Sequence, residues 1–420
     1  MKHLRLNLII FFVSILSVIT GCQSNTAQTA EGDSYASRAE ESAEEKPESA
    51  EAITSTKSET ESELTKSNNM DESMEESESM ESTEESKITV AAETVETSEM
   101  TEAAETTGVG KPVCPEGSPV AVHGKPYVSG TDLVDSEGNK LQLYGMSTHG
   151  IAWYPQYINQ EAFETLRYDW NTNCVRLAMY TYEDDGYCTD GDKEALKGLI
   201  RDGVEYATNL GMYVIIDWHV LNEESPNVYI EEAKAFFEEM SALYKDYDNV
   251  IYEICNEPNR SSDWADVKEY ANTIIPIIRA NDSEAVILVG TPTWCQDCDQ
   301  ALADPLEYDN IMYVVHFYAA THKEWLRERV ENCINAGLPI FISEFAECDA
   351  SGNGEVDQVQ GDAWMDLIEK YNLSYFCWNL ANKAETSSVI NTDCAKSSGW
   401  TREELTETGR WILSYFQNEK

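Results

Sequence analysis

Two carboxylates stand at the ends of apolar, β-branched runs. Asn249-Val250-Ile251-Tyr252-Glu253-Ile254-Cys255 leads into Asn256-Glu257-Pro258, and Pro339-Ile340-Phe341-Ile342-Ser343 leads into Glu344. Each run reads as a buried strand that delivers its carboxylate at the C-terminal end. A charge in that position faces a cleft or carries a heavy burial penalty. Two carboxylates at the same end of one barrel can divide the cleavage of a glycosidic bond, one as acid and one as nucleophile. The acid must hold its proton, through burial and its partner's charge; the nucleophile must stay ionised, beside a cation or hydrogen-bond donors. Glu257 is the expected acid/base and Glu344 the expected nucleophile.

Such a pair needs supporting residues. Arg176 is the candidate cation, because a guanidinium forks onto a carboxylate, and Tyr318 can donate to the nucleophile. Asn256 is placed to hydrogen-bond a sugar hydroxyl near the reacting carbon. His149, His219 and His316 would orient carboxylates or sugars, with structural roles the alternative for each. Flat sugar faces pack on aromatic rings. Trp378 beside the reaction centre, and Trp153, Tyr154, Tyr180 and Trp294 around it, are candidate platforms. Lys383 and Glu385 could bind sugar hydroxyls further along the cleft.

The elements that must position these residues alternate regularly. Strand candidates are Leu141–Met146, Cys174–Met179, Tyr213–Trp218, Val250–Cys255, Ala285–Val289, Ile311–Phe317, Pro339–Ser343 and Tyr375–Asn379. Helix candidates between and after them include Asp192–Asn209, Ile230–Tyr244, Trp264–Ala280, Lys323–Ala336, Gln358–Tyr371 and Arg402–Phe416. Eight such alternations predict an α/β chain folded as a (β/α)8 TIM barrel. A doubly wound open sheet is the alternative, but no Gly-rich phosphate loop opens the first unit. Tyr127–Asn139 reads as a short N-terminal β-hairpin turning at Ser136-Glu137-Gly138-Asn139, a plug for the barrel floor. The candidate site residues collect where strands end or in the loops that follow, with Arg176 inside the second strand; that is the face at which this fold carries its active sites.

The first 112 residues are different material. Residues 1–22 carry Lys2 and Arg5, an apolar stretch and Thr20-Gly21-Cys22, the layout of an export signal. The ending resembles a bacterial lipobox, which would make Cys22 a lipid anchor and the protein a cell-surface lipoprotein; a plain secretory signal is the alternative. Residues 23–112 are a Ser/Thr/Glu-rich disordered linker. Between 23 and 110 there are 24 acidic and 5 basic residues and Tyr35 is the only aromatic, too little apolar surface to offset chain entropy. Residues 113–420 form the catalytic domain. The chain's net charge of −48 argues against nucleic acid and anionic membrane surfaces as partners, leaving the lipid at Cys22 as the membrane contact. It also argues against an anionic polysaccharide substrate. A monomer is expected.

Eleven cysteines are present. Cys174, Cys255 and Cys377 sit in strand-like runs and read as buried hydrophobes. Cys295-x-x-Cys298 lacks partners at zinc spacing, so no metal is expected; a local disulfide or two free thiols are both open. Cys114, Cys188, Cys333, Cys348 and Cys394 cannot be paired from sequence.

Several stretches resemble glycoside hydrolase family 5, specifically bacterial endoglucanases of the group that includes secreted Bacillus cellulases. They are Tyr144-Gly145-Met146-Ser147-Thr148-His149-Gly150, Val175-Arg176-Leu177-Ala178-Met179-Tyr180, Val214-Ile215-Ile216-Asp217-Trp218-His219, Ile251 to Pro258, Val315-His316-Phe317-Tyr318, Pro339 to Phe345 and Trp378-Asn379-Leu380. The resemblance runs from about Gly124 to Phe416. It implies a retaining double displacement on a β-1,4-glucan with no cofactor, Glu257 as acid/base and Glu344 as nucleophile. Phe345, Ala346 and Ala320 depart from the Bacillus pattern, which has Trp, Gly and Gly there. Those departures bear on specificity, where a mannanase, xylanase or mixed-linkage glucanase on the same scaffold is the alternative. A non-catalytic glycan-binding barrel is a further alternative, and would have lost a carboxylate.

Overall fold

The computed structural model describes residues 111–419. The expectations for the export signal, for Cys22 and for the linker up to residue 110 lie outside the described residues. The described residues open with a short helix α1 (Pro119–His123) and a hairpin of β1 (Tyr127–Ser129) and β2 (Asp132–Val134). Then follow β3 (Tyr144–Thr148), α2 (Gln160–Glu164), β4 (Cys174–Tyr180), α3 (Lys193–Asn209), β5 (Tyr213–His219), α4 (Ile230–Tyr244), β6 (Val250–Glu253) and α5 (Trp264–Asn281). The second half adds β7 (Ile287–Gly290), a helical turn α6 (Pro292–Cys295), α7 (Cys298–Ala303), β8 (Ile311–Tyr318) and α8 (Glu324–Asn335). It ends with β9 (Ile340–Ala346), α9 (Gln358–Tyr371), β10 (Tyr375–Leu380) and α10 (Glu407–Phe416). Strands β3 to β10 pair in parallel in chain order, and β10 closes on β3 into an eight-stranded barrel. Parallel neighbours require crossovers, which the helices supply. Among the described residues no helix is long and apolar enough to cross a membrane.

The helices form for local reasons. In α3, Leu196, Ile200, Gly203, Val204 and Ala207 make a buried stripe at helical spacing, and the Asp192 carboxylate caps the start by accepting from the Glu194 and Ala195 amides. Beyond the barrel wall, the Phe317 ring stacks on Trp364 of α9 at 4.0 Å and on Phe345 at 4.8 Å. Truncating Phe317 to Ala would cost about 3–5 kcal/mol and loosen the strand that carries His316 and Tyr318.

The expected strands all occur, with shifted ends. The first starts at Tyr144 because Leu141 and Leu143 belong to the floor. They join Leu133 of the hairpin and Val120 of α1 against Tyr213, Ile215, Ile251 and Leu288 in the lower barrel, so the hairpin does plug the floor. Its turn is not where the sequence suggested. Ser129 pairs with Asp132, so β1 turns into β2 at Gly130, whose φ of +64° suits glycine. Residues 136–139 form a second turn that closes the Val134–Lys140 bridge. The helix expected over 402–416 is interrupted. A 3-10 turn spans Arg402–Glu404, and Thr406 then caps α10 by accepting from the Gly409 amide.

One irregularity sets up the site. Val314 pairs with Phe341 and His316 with Glu344, so β9 has one more residue than β8 over the same span. The pairing with β10 shows the same surplus, Tyr375 with Ile342 and Cys377 with Phe345. This β-bulge breaks the alternation and turns both Ser343 and Glu344 toward the interior.

Candidate active site

Above the apolar floor, the inward positions of β4, β5, β6, β8 and β9 change from hydrophobic to charged. Arg176 of β4 is completely buried. Its Nε and Nη2 fork onto both Glu253 oxygens at 2.8 and 3.1 Å, and Nη2 also meets Asp217 Oδ2 at 3.0 Å and the Asn256 carbonyl oxygen of the side chain at 2.7 Å. Nη1 donates to Ser147 Oγ at 3.1 Å and to Glu344 Oε2 at 3.2 Å. One permanent cation thus offsets three carboxylates that would otherwise be unpaired in a low-dielectric interior.

Glu344 is held at both oxygens, because the Tyr318 hydroxyl donates to Oε1 at 2.8 Å. Burial, with the nearby carboxylates, pushes the Tyr318 phenol well above its usual range, so it remains a donor. Glu257 has different surroundings. Its Oε1 lies 2.9 Å from His316 Nδ1, while His316 Nε2 lies 2.9 Å from Ser343 Oγ. The Ser343 hydroxyl donates to Glu253 Oε1 at 2.7 Å. That uses its one proton, so Ser343 accepts from His316 Nε2–H. Burial lowers the His316 pKa to about 4, keeping the ring neutral. The network therefore assigns a bare Nδ1 to His316, and a bare nitrogen facing Glu257 Oε1 requires the carboxyl to donate. Glu257 is the protonated member of the pair.

Burial raises both carboxyl groups, each to about 7. The donors decide which one ionises first. Arg176 and Tyr318 bond the charged form of Glu344, and His316 bonds the neutral form of Glu257. The facing oxygens of Glu257 and Glu344 lie within 4.8 Å of each other and of a His316 nitrogen.

The two glutamates open onto a cleft of about 540 Å3 lined by His149, Tyr180, His219, Trp294, His316, Tyr318, Trp378, Lys383 and Glu385. Most of the expected site residues therefore meet there. Trp378 and His219 stack at 5.4 Å, and Tyr180 lies 4.0 Å from His219. His219 Nδ1 meets Asp217 Oδ2 at 2.6 Å. Lys383 Nζ is 2.6 Å from Glu385 Oε2 and 3.2 Å from His149 Nε2. Trp294 sits in a left-handed segment, with φ of 57°, 53° and 59° at Thr293, Trp294 and Cys295. Gly290, just before it, admits no side chain, since a Cβ would lie 2.4 Å from the Cys255 carbonyl oxygen and 2.7 Å from that of Asn256.

Four expected cleft residues lie elsewhere. Arg176 is beneath the cleft and reaches substrate only through the carboxylates it holds. Asn256 is fully buried; Arg176 donates to its oxygen, and its amide donates to the Val220 carbonyl at 3.1 Å and faces His219 Nε2 at 3.3 Å. Trp153 and Tyr154 stand behind His149, with ring centroids 5.6 and 4.9 Å from it. Trp153 lines a neighbouring depression with Tyr182 and Asn222. Cys295 and Cys298 do not meet. The Cys295 thiol donates to the Asn256 carbonyl at 2.8 Å, and Cys298 contacts Cys333. Sequence reading missed Asp217, Glu253 and Ser343, which tie the site together from below, and Gln296 and His322 on the cleft wall. The available signal was a carboxylate within an apolar strand run, as at Asp217 and Glu253.

Residues 134–384 match the family described as Cellulase (glycosyl hydrolase family 5). The chain belongs to glycosyl hydrolase family 5. It is a glycoside hydrolase of the cellulase group. It is 49% identical over 301 residues to endoglucanase A of Butyrivibrio fibrisolvens, covering 71% of this chain and 70% of that protein. It is 44% identical over 300 residues to an endoglucanase of Clostridium saccharobutylicum, covering 71% of this chain and 66% of that one. The chain thus spans about two thirds of these relatives' lengths. Among solved structures it is similar to cellulase Cel5C_n, with 43% identity and a TM-score of 0.70 over 72% of this chain and 95% of that one. It is also similar to the catalytic domain of Thermobifida fusca endoglucanase Cel5A in complex with cellotetraose, with 35% identity and a TM-score of 0.67 over 72% and 100% of the two chains.

Proposed function

We propose that residues 113–420 are the catalytic domain of an endo-β-1,4-glucanase that hydrolyses cellulose or a related β-glucan by retaining double displacement. The observation that carries the mechanism is the pair Glu257 and Glu344, with facing oxygens within 4.8 Å. That is too close to seat a water between carboxylate and sugar, as inversion needs, and near the roughly 5–5.5 Å of retaining enzymes. Glu257 gives its proton to the glycosidic oxygen while Glu344 attacks the anomeric carbon. The leaving sugar departs with that proton, and a glycosyl ester forms on Glu344. Glu257, now ionised, takes a proton from water, and the hydroxide displaces Glu344. The names of the relatives support β-1,4-glucan as substrate, and cellotetraose in the Thermobifida fusca complex fits a cleft lined by Trp378, Tyr180 and Trp294. On the same reading the protein works as a monomer without a cofactor. Its lipobox-like Thr20-Gly21-Cys22 supports a lipid anchor at Cys22, with residues 23–112 holding the domain off the cell surface.

The test is release of reducing ends from carboxymethylcellulose, lichenan, mannan and xylan, beside a Glu344→Ala control. Release from carboxymethylcellulose that vanishes in the control supports the proposal. Release from mannan or xylan alone keeps the mechanism and moves the substrate. Binding of glycan without new reducing ends overturns it in favour of a binding protein.

A further inference from the structure

Ten cysteines are described, each with a free thiol. Several bury their S–H against a backbone carbonyl: Cys174 on Val175, Cys255 on Gly290, Cys377 on Trp378 and, most closely, Cys295 on Asn256. Cys298 differs. Its sulfur lies 3.3 Å from that of Cys333, and both side chains are buried. The two belong to different helices, Cys298 opening α7 and Cys333 standing in the last turn of α8.

The surroundings of the pair already act as a clamp. One turn before Cys333 on the same face of α8, Arg329 pairs with Asp297 and donates to the Gln296 carbonyl at 3.1 Å. Asp297 in turn accepts from Thr293 Oγ1 at 2.8 Å. These contacts fix the end of the left-handed segment that presents Trp294 to the cleft. Such a backbone persists only where its surroundings over-determine it.

We propose that Cys298 and Cys333 form a disulfide that staples α7 to α8. The oxidant is a small-molecule or protein disulfide. Cys333 attacks it as thiolate, releasing one thiol and forming a mixed disulfide. Cys298 loses its proton and displaces the second thiol from Cys333. Two electrons and two protons leave the pair and reduce one disulfide to two thiols. In the folded chain the Cys298 S–H donates to the Cys333 sulfur at 3.3 Å, so folding brings the two sulfurs within reach of each other for the second displacement. Because both sulfurs are buried, the bond closes while the chain folds. It encloses residues 298–333, and with them β8, which carries His316 and Tyr318. The inference is independent of the catalytic reading, since it concerns the wall behind Trp294 and not the carboxylates.

The full chain would be refolded in a mixture of reduced and oxidised glutathione, then mapped by proteolysis and mass spectrometry without reduction. The expected result is a peptide joining Cys298 to Cys333, with two fewer titratable thiols in denaturant than in the fully reduced protein. Reduction should lower Tm by about 5 °C. A Cys298→Ala/Cys333→Ala variant, shown to be folded by circular dichroism, should lose the linked peptide and that sensitivity to reductant. A full complement of thiols after oxidative refolding, or a bond joining other cysteines, would overturn the proposal.

Discussion

His316 Nδ1 accepts the proton of Glu257 at 2.9 Å, and Ser343 and Glu253 on its far side fix that tautomer. The general acid is thus kept neutral by an acceptor as well as by burial. Replacing His316 with Phe removes the acceptor, so the Glu257 pKa should fall. The alkaline limb of the kcat/KM profile should move to lower pH, with a loss in kcat of about 10²-fold. An unmoved alkaline limb would show that the histidine plays no part in holding the proton.

Glu344→Ala should lower hydrolysis by on the order of 10⁴-fold or more, since no other group within reach forms the glycosyl ester. Far-UV circular dichroism should stay native. Activity near the original level in a folded variant would reassign the nucleophile.

Glu257 offers a linked test of activity and stability. Its folded pKa, raised by burial from the usual 4.5 to about 7, favours the neutral form in the folded state. The stability it contributes is present below its ordinary pKa and lost as pH rises through 7. Glu257→Gln removes that loss, so its Tm should exceed that of the original protein by a few degrees at pH 8 and match it near pH 4. Turnover should fall by about 10²–10⁴-fold, and the alkaline limb should disappear. A variant less stable at pH 8 than the original would contradict the raised pKa.

Arg176→Lys keeps one charge but loses the fork to Glu253 and the reach to Glu344, Asp217 and Asn256. We expect kcat to fall by about 10²-fold or more, through a mispositioned nucleophile, and Tm to drop. Intact kinetics would show that charge alone suffices beneath the cleft.

Lys383 touches neither reacting carboxylate. Its ammonium is partly exposed and bridges Glu385 and His149. Lys383→Ala should raise KM on cello-oligosaccharides several-fold with a smaller change in kcat. Equal losses in both would place the residue closer to the chemistry than its position allows.

The barrel and its two reactive glutamates were legible because apolar runs ending in a carboxylate are conspicuous, and because eight strands each offered a polar or aromatic terminus. Residues acting through others were harder to read. Asp217, Glu253 and Ser343 lie within the strands, and their roles exist only once the barrel closes and turns β4, β5, β6 and β9 toward one interior. Asn256 was expected to face sugar, yet its hydrogen bonds run to Arg176, His219 and Val220. Spacing tells which residues reach the rim, and pairing across strands tells which are already engaged. The Cys298–Cys333 contact is similarly invisible to a motif reading, which joins Cys298 to Cys295.

The surplus residue in β9 bears on how this enzyme can change. A strictly alternating strand would present either Ser343 or Glu344 to the interior at this level, and the bulge presents both. Substitution changes which side chain fills either inward place; loss of a single codon removes one of the two places. Deleting residue 343 would leave Glu344 pointing inward while cutting His316 off from Glu253. The number of inward places at this level is thus set by chain length, which mutational surveys confined to amino-acid exchange leave untouched.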